Sequence, residues 1–186
     1  MALGTQFEDV LTAARQGAEW ALTLIYRDLN PRLLRYLRAE VGQEADDLAS
    51  DIWIEVARAL DRFTGDESGF RAWVFTIARR RAIDLRRRER RRRTDPAPSE
   101  DIEAGLPVRE IEAAVVEAIA SDAALAYLLE GLPSGQAEVV LLRIVGDLSV
   151  EQTATILEKK EGAVRALQHR ALARMVRKLR SARALV

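Results

Sequence analysis

The chain contains no cysteine. Disulfides, thiolate nucleophiles and Cys-based zinc or iron–sulfur sites are therefore excluded. A single histidine, His169, rules out a multi-histidine metal centre. Aromatic residues make up only 5% of the 186 positions, so a core must be built largely from Leu, Val, Ile and Ala. No apolar run approaches the roughly 20 residues needed to span a bilayer. The first residues, Met1-Ala2-Leu3-Gly4-Thr5-Gln6-Phe7-Glu8, have neither the basic n-region nor the apolar h-region of a signal peptide. Net charge is missing too, since 29 Lys and Arg balance 29 Asp and Glu. With 48% hydrophobic residues, what is left is a soluble, cytoplasmic protein of one or two domains, without membrane insertion, metal or cofactor.

The zero net charge hides a strong pattern. Residues 71–93 carry eleven Arg against Asp84 and Glu89. Residues 94–130 carry nine acids against Arg109, and residues 161–183 carry seven basic residues against Glu161. Two basic segments separated by an acidic one predict two polyanion contacts joined by a connector. Charge alone does not separate DNA from RNA or an acidic protein.

Apolar periodicity is helical nearly everywhere, and no alternation of period two persists. Phe7, Val10, Leu11 and Ala14 form a first amphipathic stretch, and Trp20, Leu24 and Ile25 a second. Asn30-Pro31 reads as a helix start, with Asn as N-cap and Pro at the first helical position. Leu33, Leu34, Leu37 and Val41 form the next stripe. Leu48, Ile52, Val56, Ala59 and Leu60 predict a helix over about 44–62. Thr64–Gly69 is a loop by composition, with Ser68 as the expected cap of a helix carrying Phe70, Trp73, Val74, Ile77, Ala78 and Leu85. Thr94-Asp95-Pro96-Ala97-Pro98-Ser99-Glu100-Asp101 is the clearest linker, followed by a weak acidic helix over about 107–120. Leu125, Leu128 and Leu129 open a second packed unit. The expected fold is all-α: two small helical domains joined by a flexible linker.

Residues 149–180 carry the sharpest geometry. Ser149-Val150-Glu151-Gln152 is a capping box ahead of a short helix with Ala154, Ile156 and Leu157. A turn at Glu158–Glu161 leads into a long helix over about Gly162–Ala182. This is the layout of a helix-turn-helix, whose second helix enters the major groove. At 100° per residue, Val164, Ala171 and Met175 share the packed side, flanked by Leu167, Leu172 and Leu179. Arg165, Ala166 and His169 lie on the other side, near the end that reaches base edges, and Arg165 suits guanine. Arg170, Arg177 and Arg180 are better placed for phosphates. Gln168 falls on the packed side and needs a hydrogen-bond partner there.

At this point the sequence resembles a family, the extracytoplasmic-function sigma factors of bacterial RNA polymerase. Three segments over about residues 17–180 carry the likeness. Glu44-Ala45-Asp46-Asp47-Leu48-Ala49-Ser50-Asp51-Ile52-Trp53 resembles the segment that docks on the polymerase clamp. The stretch from Phe70-Arg71-Ala72-Trp73 to Asp84-Leu85-Arg86-Arg87 is similar to the minus-ten recognition helix. Leu132-Pro133 through Arg143, then Leu148-Ser149 and Glu161-Gly162-Ala163-Val164-Arg165 to Ala171, resembles the minus-thirty-five domain. Arg80 stands where the family often has Asn, Ser50 where Gln is common, and Leu167-Gln168 where a basic-then-apolar pair is usual.

The resemblance implies roles. Residues 1–94 would form the polymerase-docking and minus-ten domain, 95–120 an acidic linker, and 121–186 the minus-thirty-five domain. Asp46, Asp47, Leu48 and Asp51 would bind polymerase; on spacing alone these acids read as ordinary helix-dipole stabilisation. Arg79, Arg80, Arg86 and Arg87 would contact promoter DNA from the first domain, and Arg165, Ala166, His169, Arg170 and Arg177 from the second. Thr64–Gly69 sits where the family's loop receives a flipped promoter base. The implied partners are core RNA polymerase, promoter DNA and an anti-sigma factor, and the chain would not itself be an enzyme. The alternative is a stand-alone helix-turn-helix regulator, which would need neither the acidic helix nor the Arg-rich one.

Overall fold

The computed structural model describes residues 3–90 and 121–183, together with positions 115, 118 and 119. Among these there is no strand, as the all-α expectation requires. The chain divides into two units, Met1–Arg93 and Thr94–Val186. The expected linker falls outside the described residues. Of the expected acidic helix only those three positions are described: 115 and 118 are helical, and Val115 and Ile119 are buried.

In the first unit a 3-10 turn at Gly4–Gln6 leads into α1 (Phe7–Arg15), which is followed by α2 (Glu19–Val41). Then come α3 (Ala45–Ala59), a 3-10 turn at Leu60–Arg62, and α4 (Glu67–Arg90). The helix α2 packs on α1, α3 and α4. Its residues Ile25, Leu29, Leu33 and Leu37 recur every four positions and are all buried. Ile52 and Val56 of α3 and Val74, Ala78 and Ala82 of α4 meet that core. Tyr36 and Phe75, both fully buried, touch edge to face at 5.3 Å.

Two boundary expectations are corrected here. Pro31 lies inside α2 and does not start a helix. An interior proline costs about 3 kcal/mol, but each buried Leu contributes roughly 1.5–3 kcal/mol, so the stripe carries the helix through. Pro31 is exposed, which leaves the carbonyl freed four residues earlier on the solvent side. Asn30 is buried, and its Oδ1 accepts a 2.9 Å hydrogen bond from Trp53 Nε1 of α3. It ties two helices together where a cap was expected. At α4 the cap is Asp66, one residue before the helix; its Oδ1 accepts from the Gly69 amide at 2.7 Å. Ser68 lies within the first turn.

The first helix described in full in the second unit is α5 (Asp122–Leu129), capped by Ser121 Oγ, which accepts from the Ala124 amide at 3.1 Å. Next is α6 (Ser134–Val140), which widens into a π turn over Leu141–Val145. Then follow α7 (Val150–Leu157) and α8 (Glu161–Arg183). Leu125, Leu128, Val140, Leu142, Leu148, Val164, Leu172 and Met175 form its core. Lys178 of α8 donates to the carbonyls of Tyr127 and Glu130 and lies 4.1 Å over the Tyr127 ring. It closes the C-terminus of α5, where the last carbonyls of a helix need donors.

Candidate nucleic-acid interface

The helix-turn-helix forms as the sequence requires. The Ser149 amide donates to Gln152 Oε1 at 2.9 Å, and the Gln152 amide donates to Ser149 Oγ at 3.0 Å. The helix α7 ends at Glu158, which takes the left-handed conformation with φ 54°. This sharp reversal starts α8 at Glu161. Along α8, Val164, Ala171, Leu172 and Met175 are buried, whereas Arg165, Ala166, Arg177 and Arg180 are exposed. A 2.6 Å surface pair joins Arg165 to Glu161 one turn earlier. Such exposed pairs contribute about 0–1 kcal/mol, too little to hold Arg165 from a base edge. His169 and Arg170 are half-buried, and Arg170 turns its Nε into the unit, where it is buried without a partner among the described residues. Arg170 is thus less available to phosphate than Arg177. Gln168 is buried, and its Oε1 accepts from Arg143 Nε at 3.1 Å. The partner that its place on the packed side demanded is present.

The Arg-rich helix α4 differs from the expectation of a free basic face. Glu55 of α3 accepts from Arg80 and, at 2.6 and 2.9 Å, from Arg81. Glu40, near the end of α2, pairs with Arg86 at 2.6 Å with its carboxylate almost covered. Arg79 is half-buried, whereas Arg87 and Arg88 are exposed. Two acids from neighbouring helices therefore offset part of the charge, and Arg87 is the best presented of the four arginines Arg79, Arg80, Arg86 and Arg87. Burial pushes the Glu55 pKa up, but the Arg81 hydrogen bond and the charges of Arg80 and Arg81 together outweigh it, so the carboxyl lies below its ordinary value.

At the start of α4, Phe63 stacks on Trp73 at 5.2 Å and Phe70 meets both rings edge-on. Trp73 is half-buried in this cluster, and Phe75 is core. A cleft of about 780 Å³ opens between Gly4–Glu8 and the loop residues Gly65–Ser68. Arg15 of α1 steadies the base of that loop by donating to the carbonyls of Leu60 and Phe63. Glu67 Oε2 accepts from the Gly4 amide at 2.6 Å.

On α3 the side chains of Asp46, Asp47 and Asp51 are exposed, and Leu48 beside them is half-buried. Arg38 approaches Asp46 only to 3.7 Å, with both side chains largely in solvent. Tyr26 and Trp53 pack at 5.2 Å nearby, leaving Tyr26 and Ile54 about half exposed. Sequence reasoning missed Arg15, Glu40, Glu55 and Arg143. Their partners lie on other helices or across a turn, beyond the reach of helical periodicity.

An all-α unit with an acidic outer face, paired with a capped helix-turn-helix and a basic second helix, defines a DNA-binding transcription protein. Residues 25–92 match Sigma-70 region 2, and residues 122–175 match Sigma-70, region 4. The chain is 34% identical to the ECF RNA polymerase sigma factor SigD of Mycobacterium tuberculosis, over 92% of this chain and 83% of that protein. It is 32% identical to the ECF RNA polymerase sigma factor BldN of Streptomyces coelicolor, over 92% of this chain and 65% of that one. The chain belongs to the ECF RNA polymerase sigma factors, which are transcription initiation factors and not themselves enzymes. Two solved structures share its fold. CnrH, in complex with the cytosolic domain of CnrY, has a TM-score of 0.62 at 24% identity, covering 92% of this chain and 96% of CnrH. RpoE, in complex with the anti-sigma factor NepR from Bartonella quintana, has a TM-score of 0.60 at 19% identity, covering 83% and 94%. No described helix is long and apolar enough to cross a membrane.

Proposed function

We propose that this sigma factor divides its work between the two units. Residues 1–94 dock on core polymerase through Asp46, Asp47, Leu48 and Asp51 and contact minus-ten DNA from α4. Residues 95–120 connect the units. Residues 121–186 read the minus-thirty-five element through Arg165, Ala166 and His169, with Arg177 and part of Arg170 on phosphates. Arg87 leads the α4 contacts. Arg80 and Arg86 reach DNA only by exchanging Glu55 and Glu40 for phosphate, and Arg79 contributes from a half-buried position. The observation that carries the reading is the joint presence of an exposed carboxylate face on α3 and a capped helix-turn-helix with an exposed Arg165–Ala166 surface. A stand-alone regulator has no use for the first. The polymerase supplies the chemistry, and the factor works in the cytoplasm where promoter DNA is.

CnrH and RpoE were each solved with another chain. We extend that arrangement to this protein as a regulatory anti-sigma partner that covers polymerase-facing and DNA-facing surfaces. Affinity purification from the native cell tests both parts. The expected outcome is recovery in two pools, one with core polymerase and one with a separate partner chain. Asp47→Arg or Asp51→Arg should deplete the polymerase pool with unchanged circular dichroism, because exposed substitutions usually change stability by about 0.5 kcal/mol or less. Undiminished polymerase recovery with either variant would remove these acids from the docking surface.

A further inference from the structure

We infer that Arg143 is a positioning residue for reading the upstream promoter element, acting through Gln168 to fix the rotation of α8 about its own axis. The inference rests on α8 being the helix that reads DNA.

Gln168 is only 5% exposed and sits in the middle of the packed stripe formed by Val164, Ala171 and Met175. Apolar packing is non-directional, so such a stripe alone tolerates small rotations of the helix. A hydrogen bond does not, because it weakens steeply as its angle opens. Arg143 supplies that directional restraint from the π turn Leu141–Val145, in which the Gly146 amide reaches back to the Leu141 carbonyl at 2.9 Å. Its Nε donates to Gln168 Oε1 at 3.1 Å, while another guanidinium nitrogen donates to the Leu148 carbonyl. Leu148 immediately precedes Ser149, the cap of α7. One side chain therefore joins the middle of the π turn, the residue ahead of the α7 cap and the N-terminal half of α8.

The consequence falls on the exposed side of α8. Arg165 and His169 lie about 60–100° around the helix from Gln168. A rotation of about 20° moves a side chain at the helix surface by roughly 2 Å. That is enough to break a bidentate contact with guanine. Phosphate contacts, made by long flexible side chains to a repeating target, survive such a shift. Loss of the Arg143–Gln168 bond should thus degrade sequence preference more than overall affinity.

The test is selection of promoters by the reconstituted holoenzyme from a pool randomised at the upstream element. Gln168→Leu keeps the volume and removes the acceptor. Its enrichment of the preferred upstream sequence should fall about tenfold, the order of one bidentate base contact. Binding to core polymerase should hold, while the melting midpoint of the free factor should fall modestly, because the part-buried Arg143 Nε loses its acceptor. Gln168→Glu retains an acceptor for Arg143 and should retain the preference. Arg143→Lys, which cannot reproduce the planar two-sided bridge, should lose preference in the same direction, and it serves if Gln168→Leu folds poorly. Wild-type enrichment in both Gln168→Leu and Arg143→Lys would overturn the proposal while leaving the promoter-reading role of the second unit intact. A wild-type holoenzyme that enriches no upstream sequence would overturn that role and this inference with it.

Discussion

At the scale of single residues, the free charge of α4 is decided by two acids on other helices. Glu55 holds Arg80 and Arg81, and Glu40 holds Arg86. Because the Glu55 carboxyl titrates below its ordinary value of 4.5, it contributes stability that is present above about pH 4.5 and is lost as pH falls through the lower folded pKa. Thermal melts of wild type and Glu55→Gln between pH 6 and pH 3 should therefore differ most near pH 6 and converge as the pH drops. A difference that stays constant over that range would show that Glu55 acts through packing and not through its charge. On α8 the contrast is between two exposed arginines. Arg165→Ala should weaken upstream binding by about 1–3 kcal/mol and relax the base preference, the behaviour of a base contact. Arg177→Ala should weaken binding on all sequences alike and lower the salt dependence. Competition assays with cognate and scrambled upstream DNA measure both. Unchanged discrimination with Arg165→Ala would remove it from the reading face.

At the scale of elements, local chemistry and tertiary packing set different boundaries. The α7 capping box forms as its sequence requires, and the Ser121 cap of α5 is equally local, three residues across. The turn between α7 and α8 carries a local cost instead. Glu158 sits at φ 54°, a left-handed conformation that costs an L-residue roughly 1–2 kcal/mol. Glycine adopts it freely but gives back about 0.5–1 kcal/mol through greater freedom in the unfolded chain. Glu158→Gly should therefore stabilise the second unit by about 0.5–1 kcal/mol, seen as a higher melting midpoint. A lower midpoint would mean that the Glu158 side chain makes a contact worth more than the strain. The helix α2 shows the opposite balance. Its proline opposes the helix locally, and the buried Leu29, Leu33 and Leu37 stripe overrides it.

At the scale of the whole molecule, each unit has its own core, built from its own helices. A unit of about 90 residues with an independent core is within the range that folds alone. The excised segment 1–93 should give a helical spectrum and a single cooperative melt, as small two-state domains do. A broad, non-cooperative melt of 1–93 would show that its stability depends on the rest of the chain. The division also suits a sigma factor that meets polymerase and promoter DNA together, since linked modules bind with an effective concentration set by their connection.

The sequence by itself determined the helical class, the helix-turn-helix with its capping box, the exposure of Arg165, Ala166, Arg177 and Arg180 on α8, though not the half-burial of His169 and Arg170, and the outward carboxylates of α3. Each follows from 3.6-residue periodicity or from hydrogen bonds a few positions apart, which a linear pattern records directly. Even the need of Gln168 for a partner was legible, because an amide on a packed face must be satisfied. Its partner was not, and neither was the capture of Arg80, Arg81 and Arg86 by Glu55 and Glu40, nor the persistence of α2 through Pro31. Tertiary structure decided these. Each depends on which side chains from separate helices approach within hydrogen-bonding distance, or on how much apolar area a stripe buries against its neighbours. Only the packed arrangement of helices fixes those quantities.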